Sequence, residues 1–114
     1  VYFMLEKIMP ISYSTNPGYV INNVASHTLS SLYLDNHVNI NSASEVIITI
    51  PSGLGTPGQT VDYFQQGSGQ ITFSPASGVS LLSYSGFNST KGLYAGASLR
   101  LVASNSWALV GDII

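Results

Sequence analysis

The chain has no cysteine, which excludes a disulfide framework, a thiolate zinc site and a cysteine nucleophile. Charge is nearly as scarce: only 7% of the 114 residues are charged, against roughly 25% in ordinary soluble proteins. Lys7, Lys91 and Arg100 are too scattered to form a basic stripe, and the net charge is −2. Such a chain has no electrostatic attraction for phosphate, so nucleic acid is not an expected partner. Long apolar runs are missing as well. The segment from Val1 to Ile11 is interrupted by Glu6, Lys7 and Pro10, well short of the ~18 uninterrupted apolar residues of a membrane span. The order of a signal peptide, positive charge first and small residues after the apolar run, is not met either. The first residue is Val rather than Met, as in a processed chain or a fragment.

Hydrophobic residues nevertheless make up 45% of the sequence, and polarity comes from Ser, Asn, Thr, Gln and Gly. Lone soluble proteins keep apart by charge, so this balance predicts a surface largely covered by copies of the same chain. The length allows one domain with one modest core.

Along the chain, residues 1–25 read as an extended N-terminal arm, because Pro10, Asn16-Pro17-Gly18 and Asn22-Asn23 interrupt every periodic pattern and leave room for one short strand. Residues 26–114 read as the β domain. Between His27 and Ile40 the apolar positions fit either one helical turn or strand alternation. Val46-Ile47-Ile48-Thr49-Ile50, stopped by Pro51-Ser52-Gly53, has the composition of a strand. Thr60 to Gln66 and Gln70 to Ser74, joined by Gly67-Ser68-Gly69, predict a hairpin whose glycines supply positive φ. Tyr63 and Phe64 are adjacent there and must point to opposite faces. Val79 to Tyr84 predicts another strand. Ala97 to Ala103 and Trp107 to Val110 predict a second hairpin with Trp107 and Leu109 in the core. Short strands at regular spacing argue for an all-β fold, a small β-barrel or β-sandwich.

A resemblance covers about two-thirds of the chain. Ser44-Glu45-Val46-Ile47-Ile48-Thr49-Ile50-Pro51, Val61 to Phe73, Ala76-Ser77-Gly78-Val79-Ser80-Leu81, Tyr94 to Val102 and Trp107-Ala108-Leu109-Val110-Gly111-Asp112 occur in the order of a small C-terminal β-module of bacteriophage virion proteins, which the chain resembles. The resemblance implies a compact β fold, a homotrimer, location in the virion on the outside of the particle, and no enzymatic activity or cofactor. No long repetitive stalk precedes the module, which fits a capsid decoration (cement) protein better than a tail fibre. The expectation is therefore a trimer bound to the major capsid protein through its arm, with Val1, Phe3, Met4, Leu5, Ile8 and Ile11 as capsid contacts. The alternative is the receptor-binding tip of a tail fibre, recognising host cell-surface glycans through Tyr, Asn and Ser.

Sites of chemistry are few. His27 and His37, with Asp35 between them, are weighed as a metal site and read instead as surface or hydrogen-bonded residues. Glu6, Asp35, Glu45, Asp62 and Asp112 are too spread for the paired carboxylates of glycoside cleavage, and Asp62 is expected to pair with Arg100 or a turn amide. No serine lies in a Gly-x-Ser-x-Gly elbow, Gly67-Ser68-Gly69 joins strands rather than opening a helix, and Asn88-Ser89-Thr90 reads as a turn. Tyr63, Phe64, Tyr94 and Arg100 are the trimer-interface candidates, and Tyr13, Tyr19 and Tyr33 share that expectation.

Overall fold

Strand alternation dominates the computed structural model, which describes residues 18–114. Nine strands form among the described residues: β1 (Tyr19–Asn22), β2 (Ser26–Thr28), β3 (Asn36–Asn41), β4 (Val46–Ile50), β5 (Thr60–Gln65), β6 (Ile71–Pro75), β7 (Ser80–Ser83), β8 (Gly96–Ala103) and β9 (Ser106–Gly111). The ambiguous stretch after His27 contains both readings in succession, a 3-10 turn at Ser31–Tyr33 and then β3. The chain is all-β, with a six-stranded sheet in the order β1-β3-β5-β8-β9-β7 facing a three-stranded sheet, β2-β4-β6.

The first six strands alternate between the two sheets, and each of the first four pairs in parallel with the strand two places on. The backbone is therefore wound as a coil, the arrangement of a solenoid. Partners lie 19 residues apart between β1 and β3, 21 between β2 and β4, and 25 in the next turn. Parallel strands require crossovers rather than two-residue turns, and here each crossover is the strand of the opposite sheet.

This winding corrects the first predicted hairpin. β5 and β6 belong to different sheets, and Gly67-Ser68-Gly69 forms a corner between them. Neither Gly67 nor Gly69 has positive φ. They are glycine because the preceding turn of the coil presses on them: a Cβ on Gly67 would meet the backbone of Ser42, and one on Gly69 that of Ser44. Hydrogen bonds run through this corner, from Gly67 N–H to Ile40 O at 3.3 Å and from Gly69 N–H to Ser42 O at 2.8 Å. The second predicted hairpin is present, with β8 antiparallel to β9 and Asn105 (φ +56) in its turn.

Inward positions of both sheets share one core. Val38, Ile40, Val61, Leu99, Leu101, Trp107 and Leu109 come from one sheet and Val46, Ile48, Ile50, Ile71 and Phe73 from the other. Fully burying such side chains is worth about 1.5–3 kcal/mol each. Tyr63 crosses the layer, its ring edge-on to Phe73 at 5.5 Å.

The two ends of the coil differ. At the C-terminal end β5 is covered by antiparallel β8. The free side of β6 accepts Asn88–Thr90, through Phe73 N–H to Asn88 O at 2.8 Å and Thr90 N–H to Ile71 O at 2.9 Å, and that segment pairs in turn with Ile113 and Ile114. At the other end β1 and β2 are edge strands among the described residues.

Candidate interaction surface

Because side chains alternate along a strand, the residues facing away from the core on the six-stranded sheet form rows across it. Val20, Asn39, Phe64 and Gly96 make one row, His37, Asp62, Ser98 and Val110 the next, and Thr60, Arg100, Ala108 and Leu82 a third. Thr60, Asp62, Ser98, Arg100, Val102, Ala108 and Val110 line an open depression of about 670 Å³. Its floor is the pleat of β5, β8 and β9, so it is a sheet face rather than an enclosed cleft.

The expected pairing of Asp62 with Arg100 is corrected here: Asp62 Oδ1 accepts a hydrogen bond from Ser98 Oγ at 2.6 Å. Ser98 stands directly opposite Asp62, whereas Arg100 is opposite Thr60. Although His37, Asp62 and Ser98 share a row, the serine is bonded to the carboxylate and not to an imidazole, which is the wrong order for an activated nucleophile.

The adjacent aromatics divide as alternation requires. Tyr63 is 2% exposed and belongs to the core, so it is withdrawn as an interface candidate. Burial pushes its phenol well above the usual tyrosine range. Phe64 faces out and stacks on Tyr94, with centroids 6.0 Å apart and planes 15° from parallel. Tyr94 holds φ +69, a conformation costly for an aromatic residue, and its N–H donates to Gln65 O at 2.7 Å. Arg100 is exposed. Tyr19 and Tyr33 are half-buried and meet edge to face at 5.0 Å.

A second, largely apolar group lies around the C-terminal cap, with Tyr84, Phe87, Val110 and Ile114 exposed. Tyr84, Phe87, Leu109, Val110, Gly111, Ile113 and Ile114 line another depression with Lys91. Val110, 62% exposed, lines both, so the two depressions adjoin at this residue. Sequence reasoning did not single out Val110, Leu82 or Val102. The alternation that buries Leu99, Leu101, Trp107 and Leu109 was the available signal, since it sends Val102, Ala108 and Val110 outward.

The polar residues weighed for chemistry hold the fold. Asp35, at φ +62, accepts from Thr60 N–H at 3.2 Å and Gln59 Nε2 at 3.1 Å. Glu45 accepts from Thr72 Oγ1 at 2.8 Å. His27 points inward from the three-stranded sheet, its ring 4.8 Å from that of Tyr33, while His37 lies on β3 of the other sheet. No group of three potential metal ligands occurs among the described residues, and no helix among them is long and apolar enough to cross a membrane. The capsid-contact candidates Val1, Phe3, Met4, Leu5, Ile8 and Ile11, with Tyr13, lie outside the described residues.

Comparison with protein-family models, with curated proteins and with solved structures found no match. The fold and surface by themselves define a class: a short stacked β-coil, closed at its C-terminal end, that presents an open sheet face.

Proposed function

We propose that the chain is a non-enzymatic structural module of a bacteriophage particle, working as a homotrimer through its surfaces, and that it forms the closed distal end of a fibre-like appendage. The observation that carries the placement is the asymmetry of the coil, capped by β8, β9 and Asn88–Thr90 at one end and edged by β1 and β2 at the other. A terminal repeat needs a cap to prevent further stacking, and a distal tip needs the same. Exposed Leu82, Val102 and Val110 supply apolar area for contacts between subunits, and the low charge content of the chain suits a surface that is covered. The receptor of such a tip is a cell-surface glycan, met by exposed Tyr, Asn and Ser.

Gold-labelled antibody against the chain, imaged on intact particles, tests the placement. Label at the ends of fibres is expected. Label spread over the shell, with co-sedimentation on stripped shells that requires residues 1–11, would replace the tip with the capsid decoration protein bound to the major capsid protein. Sedimentation of the purified chain as a monomer at every concentration would remove the trimer.

A further inference from the structure

The six-stranded sheet turns one face to the core and the other outward, and its fixed charge is confined to two outward residues. Among the described residues, Asp62 on β5 and Arg100 on β8 are the only Asp, Glu, Lys or Arg on its strands. They stand on adjacent strands one row apart, since Asp62 is opposite Ser98 and Arg100 is opposite Thr60. Such diagonal positions are within reach of a long side chain, yet the two do not pair within the chain. Asp62 Oδ1 is held instead by Ser98 Oγ at 2.6 Å, which leaves Oδ2 without a partner among the described residues. The Arg100 guanidinium makes no hydrogen bond or ion pair among them.

Around these two charges the face is rich in apolar side chains. Val20, Phe64, Leu82, Val102 and Val110 point outward from the same sheet and are 37% to 62% exposed. Val102, Ala108 and Val110 share one open depression with both charges. Exposed apolar area of this kind marks a contact surface. A cover that excluded water from either charge alone would leave a buried ion unpaired, which is heavily penalised. The cover must therefore bring an opposite charge to each. A second copy of the same face does so, because it carries the same acid, the same base and the same apolar side chains, with no net charge left over. A saccharide would offer hydroxyls to the charges but would leave Val20 and Leu82, on the two edge strands of the sheet, uncovered.

We propose that the outer face of the six-stranded sheet is the contact between subunits, and that Asp62 of each subunit pairs there with Arg100 of its neighbour. The pairing rests on the homotrimer reading and is independent of which part of a particle carries the protein. The bond from Ser98 orients the carboxylate in advance, and a planar guanidinium can meet it with two parallel N–H donors. In a closed ring of three subunits the pair is made once at each contact. Pairs of this kind set register and partner choice more than affinity, and the apolar side chains around them supply the buried area.

Charge reversal on the full chain, followed by sedimentation equilibrium, tests the pairing. Asp62→Arg alone sets two guanidinium groups against each other at every contact, and Arg100→Asp alone sets two carboxylates. Each is expected to raise the concentration of half-assembly at least about tenfold. The urea midpoint of the dissociated chain should stay close to that of the parent, because both residues are exposed. Mixing the two variants is expected to recover assembly in part, since a mixed ring holds opposite charges at all contacts but one, whereas either variant alone holds them at none. A pair formed within one chain cannot produce that recovery. Asp62→Arg combined with Arg100→Asp in the same chain is expected to assemble within about threefold of the parent. Single variants that assemble like the parent, or a mixture that stays dissociated, would overturn the pairing and leave the trimer standing. A parent chain that is monomeric at every concentration would remove the trimer and the pairing together.

Discussion

Thr90 and Gln65 meet inside the protein, with the Thr90 hydroxyl donating to Gln65 Oε1 at 2.5 Å. Both are fully buried. The same hydroxyl oxygen accepts from Ile71 N–H at 2.9 Å, and Gln65 Nε2 donates to Gly67 O at 3.0 Å. One polar network thus ties β5, the corner after it, β6 and the capping segment. Thr90→Val leaves Gln65 Oε1 and the Ile71 N–H without partners, each a desolvation cost of about 1–3 kcal/mol. The urea midpoint should fall accordingly, and Thr90→Ser should restore most of it. Tyr63 gives the contrast. Its buried hydroxyl has no hydrogen-bond partner among the described residues, so Tyr63→Phe should leave the midpoint unchanged or raise it.

Corner stacking predicts an effect that local conformation does not. Gly67→Ala and Gly69→Ala force a Cβ against the backbone of Ser42 and Ser44, and each should destabilise by about 1–3 kcal/mol. Gly92→Ala, with open space around its Cβ position and no positive φ, should stay within about 0.5 kcal/mol of the parent. Thermal or urea unfolding of the three variants measures the difference.

His27 couples stability to pH. Desolvation by burial lowers its pKa from the ordinary 6.5, so folding favours the neutral ring. The contribution is fully present above the unfolded value and is lost as pH falls below it, because the unfolded chain then binds a proton that the folded one resists. Urea midpoints measured between about pH 5 and pH 8 should decline on the acid side in the parent, and less steeply in His27→Phe.

The exposed apolar surface predicts a separation of folding from assembly. Val110→Asp alters a residue 62% exposed, so the unfolding midpoint of the isolated chain should move by no more than about 0.5 kcal/mol. Sedimentation should show the proposed trimer replaced by monomer. A trimer that survives both this substitution and Leu82→Asp would place the subunit contact elsewhere.

Local chemistry made much of this protein legible. Val46–Ile50 reads as a strand because β-branched residues favour a pleat, and Trp107 and Leu109 read as core from alternation alone. The β8–β9 hairpin follows from two alternating runs around Ser104-Asn105-Ser106.

Which strands pair was decided only by the tertiary structure. β5, Gly67-Ser68-Gly69 and β6 have the local pattern of a hairpin, yet the partner of β6 is β4, 25 residues back. A side-chain period of two says which face a residue occupies and nothing about which strand lies beside it. The glycines at the corner carry the same ambiguity, since positive φ and close backbone approach both select the residue without a Cβ. Tyr63 and Phe64 show the limit most directly. Sequence required them to face opposite ways, but only the packing of two sheets around one core buried Tyr63 and left Phe64 on the outer face with Tyr94.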